Sequence, residues 1–143
     1  MAISDTYQYQ QYKQQYLQQQ IFTAPKDKLL LSLFDGATRF CTLAKKAMVE
    51  RKIEETHYYI LKAENIIMEL MQSLKMDFDF SRNLYAIYDY LYRKLIEANL
   101  KKEEALLDEV LGFLAELRKT MGEAALMARG ERKSVVGGGR LEG

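Results

Sequence analysis

Glu54 and His57, in the stretch EETH, are the residues whose spacing comes nearest to reactive chemistry. A carboxylate and an imidazole at i and i+3 share one helix face, as in the ligand motif of bundle di-iron centres. Such a centre needs the motif on two helices, with further carboxylates pointing inward. His57 is the only histidine in 143 residues, so the second motif does not exist. His57 therefore reads as a surface residue near a helix start. Cys41, the single cysteine, has no catalytic partner in the sequence and reads as a small buried hydrophobe. One cysteine also excludes an intrachain disulfide and fits a reducing compartment. No glycine-rich phosphate loop, paired-cysteine metal motif or nucleophile elbow occurs. The carboxylates in LKKEEALLDEV and AELRK sit beside lysines and arginines, the pattern of solvated helix faces. Nothing here makes a case for an enzyme, a metal or any other cofactor.

The elements that would position such residues are helical. Thr23 is a candidate N-cap with Pro25 in the first turn, where a missing N–H costs little. From there Leu30, Leu33, Ala37, Phe40, Ala44 and Ala47 recur at steps of three and four, which predicts a helix from about Pro25 to about Arg51. Three more stripes follow: Ile60–Ala63–Ile67–Leu70–Leu74, Leu84–Tyr88–Leu91–Leu95–Ala98 and Leu107–Val110–Leu114–Leu117–Met121. These are narrow and close to a 3.5-residue period, as at a bundle seam. The breaks ERKIEE, LKMDFDFS and ANLKKEE are short, which favours antiparallel neighbours. The fold class is all-α: an antiparallel up-down four-helix bundle. Residues 1–22 form a helical or extended leader, 23–129 the bundle and 130–143 a disordered tail. Gly36, inside the first helix, costs about 0.5–1 kcal/mol relative to alanine, and with Ala37 it marks a tight helix crossing.

With 48% hydrophobic and 29% charged residues the chain is globular. A formal net charge of +1 argues against a general nucleic-acid binder. No apolar run approaches the roughly 18 residues of a membrane span, and the start MAISDTYQYQ lacks the blocks of a signal peptide. The expectation is a cytosolic protein that is not integral to a membrane.

What stands out is surplus apolar and aromatic surface. Tyr85, Ile87, Tyr92 and Ile96 cannot all share the third seam, and Ile66, Met68 and Met71 widen the second. Helices with wider apolar arcs than a bundle buries need another cover. The leader sets Tyr7, Tyr9, Tyr12 and Tyr16 among glutamines, with Lys13 the only charge between residues 6 and 25. Tyr9, Tyr12 and Tyr16 fall on one edge at helical spacing. Such a segment suits a removable cover over an apolar groove; a permanent fifth helix is the alternative.

Three stretches then resemble one family. TAPKDKLLLSLFDGATRFCTLAKKA contains Leu33, Phe34, Asp35, Gly36 and Ala37, and is similar to the first long helix of the flagellin-specific secretion chaperones, the FliS family. KAENIIMELMQSL resembles its second helix. NLYAIYDYLYRKLIEANL matches through Asn83, Leu84, Tyr88, Asp89, Tyr90, Leu95, Ala98 and Asn99, and LDEVLGFLAELR resembles the last helix. The likeness runs from about Tyr12 to about Met127. Two departures are the missing Gly-Gly turn between helices two and three, and Met121 where many members carry tryptophan.

The resemblance implies a cytosolic export chaperone that holds the disordered C-terminal segment of flagellin in apolar grooves, blocks premature polymerisation and offers it to the cytosolic domain of the flagellar export gate. The candidate groove residues are Ile66, Leu70, Leu84, Tyr85, Ile87, Tyr88, Leu91, Tyr92 and Leu95. Tyr9 and Tyr12 are the candidate groove cover and gate-docking residues. A co-chaperone or an anti-sigma factor, and a homodimer exchanging leaders, complete the partners considered. The competing reading is a non-catalytic bundle adaptor for some other amphipathic helix.

Overall fold

The computed structural model describes the backbone of residues 25–74 and 79–142 and the side chains of residues 26–74 and 81–127. Four helices account for nearly all of it: α1 Pro25–Val49, α2 Ile53–Ser73, α3 Asp79–Lys101 and α4 Glu104–Glu142. No strand occurs among the described residues. Pro25 starts α1 and Asp27 lies in its first turn, where a negative charge favours the positive end of the helix dipole. The candidate cap Thr23, the leader and its Tyr9 and Tyr12 lie outside the described residues.

Both turns at one end of the bundle close without glycine. At the end of α1, Arg51 takes φ 59°. Its N–H donates to the Met48 carbonyl at 3.1 Å, and the Lys52 N–H donates to the Ala47 carbonyl at 2.8 Å. That pair of bonds is a Schellman closure, which satisfies carbonyls the helix leaves open. At the end of α3, Lys102 takes φ 55° and donates its N–H to the Ala98 carbonyl at 2.7 Å, the single-bond variant. Lys102 Nζ also donates to the Asn99 carbonyl at 2.7 Å and to the Asn99 side-chain oxygen.

Side-chain pairs fix the arrangement of the helices. Asp35 of α1 meets Arg118 of α4 at 3.1 Å, and ten residues along α1, Lys45 meets Asp108, ten residues back along α4, at 2.7 Å. α1 and α4 are thus antiparallel. Phe40 stacks on Tyr59 of α2 with centroids 6.3 Å apart, and Phe34 approaches Tyr88 of α3 at 6.3 Å. A Cβ placed on Gly36 would stand 3.1 Å from Cδ1 of Ile66, so α1 and α2 cross closely there and the expected tight crossing is found. The connection order is up-down-up-down, as the short breaks predict.

The core is built from the four stripes. Leu33, Phe34, Ala37, Cys41, Ala44 and Ala47 of α1 are buried, as are Ile60, Ala63, Ile67 and Leu70 of α2. Leu84, Tyr88, Leu91, Leu95 and Ala98 of α3 meet Leu107, Val110 and Leu114 of α4. Cys41 is fully buried, and loss of solvation pushes its thiol up to about 12, so it stays a neutral packing group.

The chain divides into two compact units, Leu33–Arg118 and Met1–Ser32 with Lys119–Gly143. The first contains the core and all the side-chain contacts above. In the second, Ala125 is buried while Leu126 and Met127 are exposed. The backbone of α4 is helical to Glu142.

Candidate functional site

The nine candidate groove residues separate into two groups. Ile66, Leu70, Leu84, Tyr88, Leu91 and Leu95 are buried among the helices. Tyr85, Ile87 and Tyr92 keep accessible surface. Tyr88 is fully enclosed, its hydroxyl has no partner among the described residues, and burial raises its pKa. Its ring serves the core rather than a partner in this state.

Helical spacing places Tyr85 and Tyr92 on a continuous outer face, whereas Ile87, about 200° around α3 from Tyr85, lies off it. On α2, Ile53, His57, Leu61, Glu64 and Met68 follow at steps of three and four, along one side of the helix. On α3, Tyr85, Asp89, Tyr92, Ile96 and Leu100 do the same. These two sides meet, because Asn99 Nδ2 donates to His57 Nδ1 at 2.7 Å. α2 and α3 pack side by side and run antiparallel. Seven residues on from His57 is Glu64, and seven back from Asn99 is Tyr92, so the pairing sets Glu64 level with Tyr92, with Leu61 and Ile96 each about one turn nearer the His57–Asn99 bond. The face is about 22 Å long, at 1.5 Å per residue over fifteen residues.

Ile53, Leu61, Tyr85, Ile96 and Leu100 on this face are between 38% and 81% exposed. They are five of the nine large apolar side chains exposed among the described residues. Scattered singles are ordinary on a protein surface, but five along one interhelical seam form a patch of the kind that takes a partner.

Glu64 interrupts the apolar surface. Its residue is only 7% exposed, yet it makes no hydrogen bond or ion pair to any described residue. Burial raises its carboxyl pKa above the ordinary glutamate value, and the charge of His57 works in the opposite direction. His57 is not isolated: Lys102 donates to Asn99, which donates to His57, tying the start of α2 to the end of α3. No local sequence pattern hints at this, since the partners are 42 residues apart.

The family-signature residues are structural or on other surfaces. Leu33, Phe34 and Ala37 are buried, Asp35 pairs with Arg118, and Gly36 faces Ile66. Asp89 accepts from Arg93 at 3.0 Å, and Asn83 is exposed. Tyr90 donates its hydroxyl to Glu109 and sets its ring edge-on to Phe113 with centroids 5.7 Å apart. Sequence reasoning passed over Ile53, Leu61, Leu100 and Glu64. The first three lie beside charges outside the seams, and a glutamate in KAENII reads as solvated.

No helix among the described residues is long and apolar enough to cross a membrane. The family described as Flagellar protein FliS matches residues 8–128. The flagellar secretion chaperone FliS of Bacillus subtilis is 34% identical over 126 residues, covering 88% of this chain and 92% of that protein. FliSB of Pseudomonas aeruginosa is 32% identical over 110 residues, covering 76% of this chain and 87% of its own length. The Salmonella typhimurium FliS is 29% identical over 112 residues, covering 74% and 81%. A four-helix bundle with surplus apolar surface and a match over most of its length make the chain a member of the FliS family of flagellar secretion chaperones.

Proposed function

We propose that the outer face of α2–α3 receives the C-terminal segment of flagellin in the bacterial cytosol, keeps it from polymerising and carries it to the flagellar export gate without catalysing any reaction. Residues 23–129 carry this activity. The leader covers the face when it is empty, with Tyr9 and Tyr12 as its contacts, and is then free to dock at the gate. The observation that supports this reading is the set of exposed apolar side chains Ile53 and Leu61 on α2 and Tyr85, Ile96 and Leu100 on α3. A client helix of four turns matches the length of the face. Ordering a disordered client costs several kcal/mol, which apolar burial at roughly 25 cal/mol per Å² offsets over about 1,000 Å².

The test is titration of the full chain with a synthetic flagellin C-terminal peptide, followed by amide exchange. The expected result is a 1:1 complex with a rise in helicity and slowed exchange along Leu61–Met68 and Tyr85–Leu100. Protection confined to other helices would remove the client from this face. Absence of binding to flagellin, with binding to an unrelated amphipathic helix, would replace the export reading with that of a general adaptor.

A further inference from the structure

The face that would hold the client has a charge where an apolar residue would be expected. Glu64 lies between Leu61 and Met68 on α2, level with Tyr92 of α3; the residue is 7% exposed, its carboxylate oxygens still reach solvent, and no described residue donates to them. Partial loss of water already costs such a carboxylate, and covering it further without a donor costs more. His57, two turns back along α2, is the group whose charge reaches the Glu64 carboxyl, but it makes no hydrogen bond to it; on α3, Arg93 is held by Asp89 and Lys102 by Asn99. Lys62, two residues before Glu64, lies over the Tyr58 ring at 5.4 Å.

We propose that Glu64 is the specificity-determining residue of the α2–α3 face, selecting a client helix that carries a lysine or arginine over it, with apolar residues three or four positions to either side. This rests on the client-binding reading above and deepens it by naming what the client must carry. The physical argument has two halves. A client with a cation at that position completes a charge-assisted hydrogen bond in a site that the bound helix itself closes to water, where such bonds are strong. A client with an apolar residue there seals the carboxylate away unpaired, so it is rejected rather than merely less favoured. The flanking Leu61, Met68, Tyr92 and Ile96 take the apolar side chains that a helix presents one turn before and after the cation. The carboxyl's raised pKa follows from the same burial.

The test is a double-mutant cycle by calorimetric titration. The full-length chain and its Glu64→Gln variant are each titrated with synthetic C-terminal peptides of flagellin from the same bacterium. In each peptide one lysine or arginine is replaced by methionine. One replacement is expected to cost at least tenfold in affinity toward the unaltered chain and less than twofold toward Glu64→Gln. A second variant, Glu64→Leu, is expected to melt at a higher temperature than the parent while binding the unaltered peptide more weakly, a combination that a merely structural glutamate would not produce. Binding without coupling at any basic position would overturn the proposal and leave the client reading standing. Coupling of Glu64 to Lys13 of the same chain, with none to the client, would also overturn it. Failure of the unaltered chain to bind the unaltered peptide would remove the client reading and this proposal together.

Discussion

Two tyrosines on α3 are almost equally exposed, Tyr85 at 41% and Tyr90 at 39%, yet they belong to different surfaces. Tyr90 faces α4, where its hydroxyl donates to Glu109, its ring meets the edge of Phe113 and Lys94 lies 5.5 Å above it. Tyr85 faces outward beside α2, with no hydrogen bond or ring contact to a described residue. Similar accessible area thus has opposite meaning. On the α3–α4 side the polar and aromatic groups are already satisfied by one another. On the α2–α3 side the apolar groups and Glu64 are left wanting. Exposure alone does not mark a docking face; exposure with unspent interactions does.

The strongest way to break that contrast is to put a charge on the uncommitted face. Ile96→Glu is expected to weaken the flagellin peptide about 100-fold, close to 2.7 kcal/mol, with no fall in melting temperature, because Ile96 is exposed in the free bundle. Calorimetric titration and thermal melting by circular dichroism check the two halves. Unchanged affinity would mean that the α2–α3 surface is no more a docking face than any other.

Gly36→Leu attacks the support of one face only. α2 sits against α1 where a Cβ on Gly36 would stand 3.1 Å from Ile66, so a leucine there must push the helices apart. Overpacking of this kind costs about 2 kcal/mol, and urea unfolding measures it. The α3–α4 contacts do not pass through this crossing and are expected to survive. The opposite surface has its own probe in Phe113→Ala. It should cost about 1.5 kcal/mol of stability, since the ring is half-buried against Tyr90, and should leave client affinity unaltered.

These cases also show how far the sequence could be read. The helices, their order and the close crossing at Gly36 were legible, because the seam residues repeat at steps of three and four and Gly36 has no other use in mid-helix. The division between core and outer face was not. Tyr85, Tyr88 and Tyr92 are the same residue type within two turns, and periodicity defines an apolar arc without saying how much of it a neighbouring helix covers. Tyr88 went into the core with Phe34, while Tyr85 stayed outside. Arg51 and Lys102 were invisible as helix terminators, since left-handed closures are signalled by glycine and here backbone bonds hold them, aided at Lys102 by its own Nζ on Asn99. The His57–Asn99 bond depends on the register of two helices, which no local pattern encodes.

A change of pH separates the two faces by a smaller amount. Burial raises the Glu64 carboxyl pKa above its ordinary value near 4.5. Below that value the group is protonated in both folded and unfolded chains and costs nothing. As pH rises, the unfolded chain releases its proton first, so the free bundle loses stability until the folded carboxyl also ionises, and the deficit then stays constant. Glu64→Gln removes this titration. The melting-temperature difference between variant and parent is expected to widen between pH 4 and pH 7. A difference that stays flat across that range would mean that the carboxylate is solvated, and the α2–α3 face would lose its unspent charge.

The smallest effect comes from the surface that should not matter. Gly112 lies in α4 one residue before Phe113, and a Cβ built on it meets nothing within 4 Å. Alanine at that position removes the backbone entropy penalty of a mid-helix glycine and adds no clash, so Gly112→Ala should stabilise the protein by about 0.5 kcal/mol. Denaturant midpoints resolve a gain of that size if the slope is unchanged. The informative half is the affinity: a methyl group on open α4 surface should leave flagellin binding as it was. A loss of affinity with a gain in stability would place client contact on α4 as well, and the distinction between the committed and uncommitted faces would no longer hold.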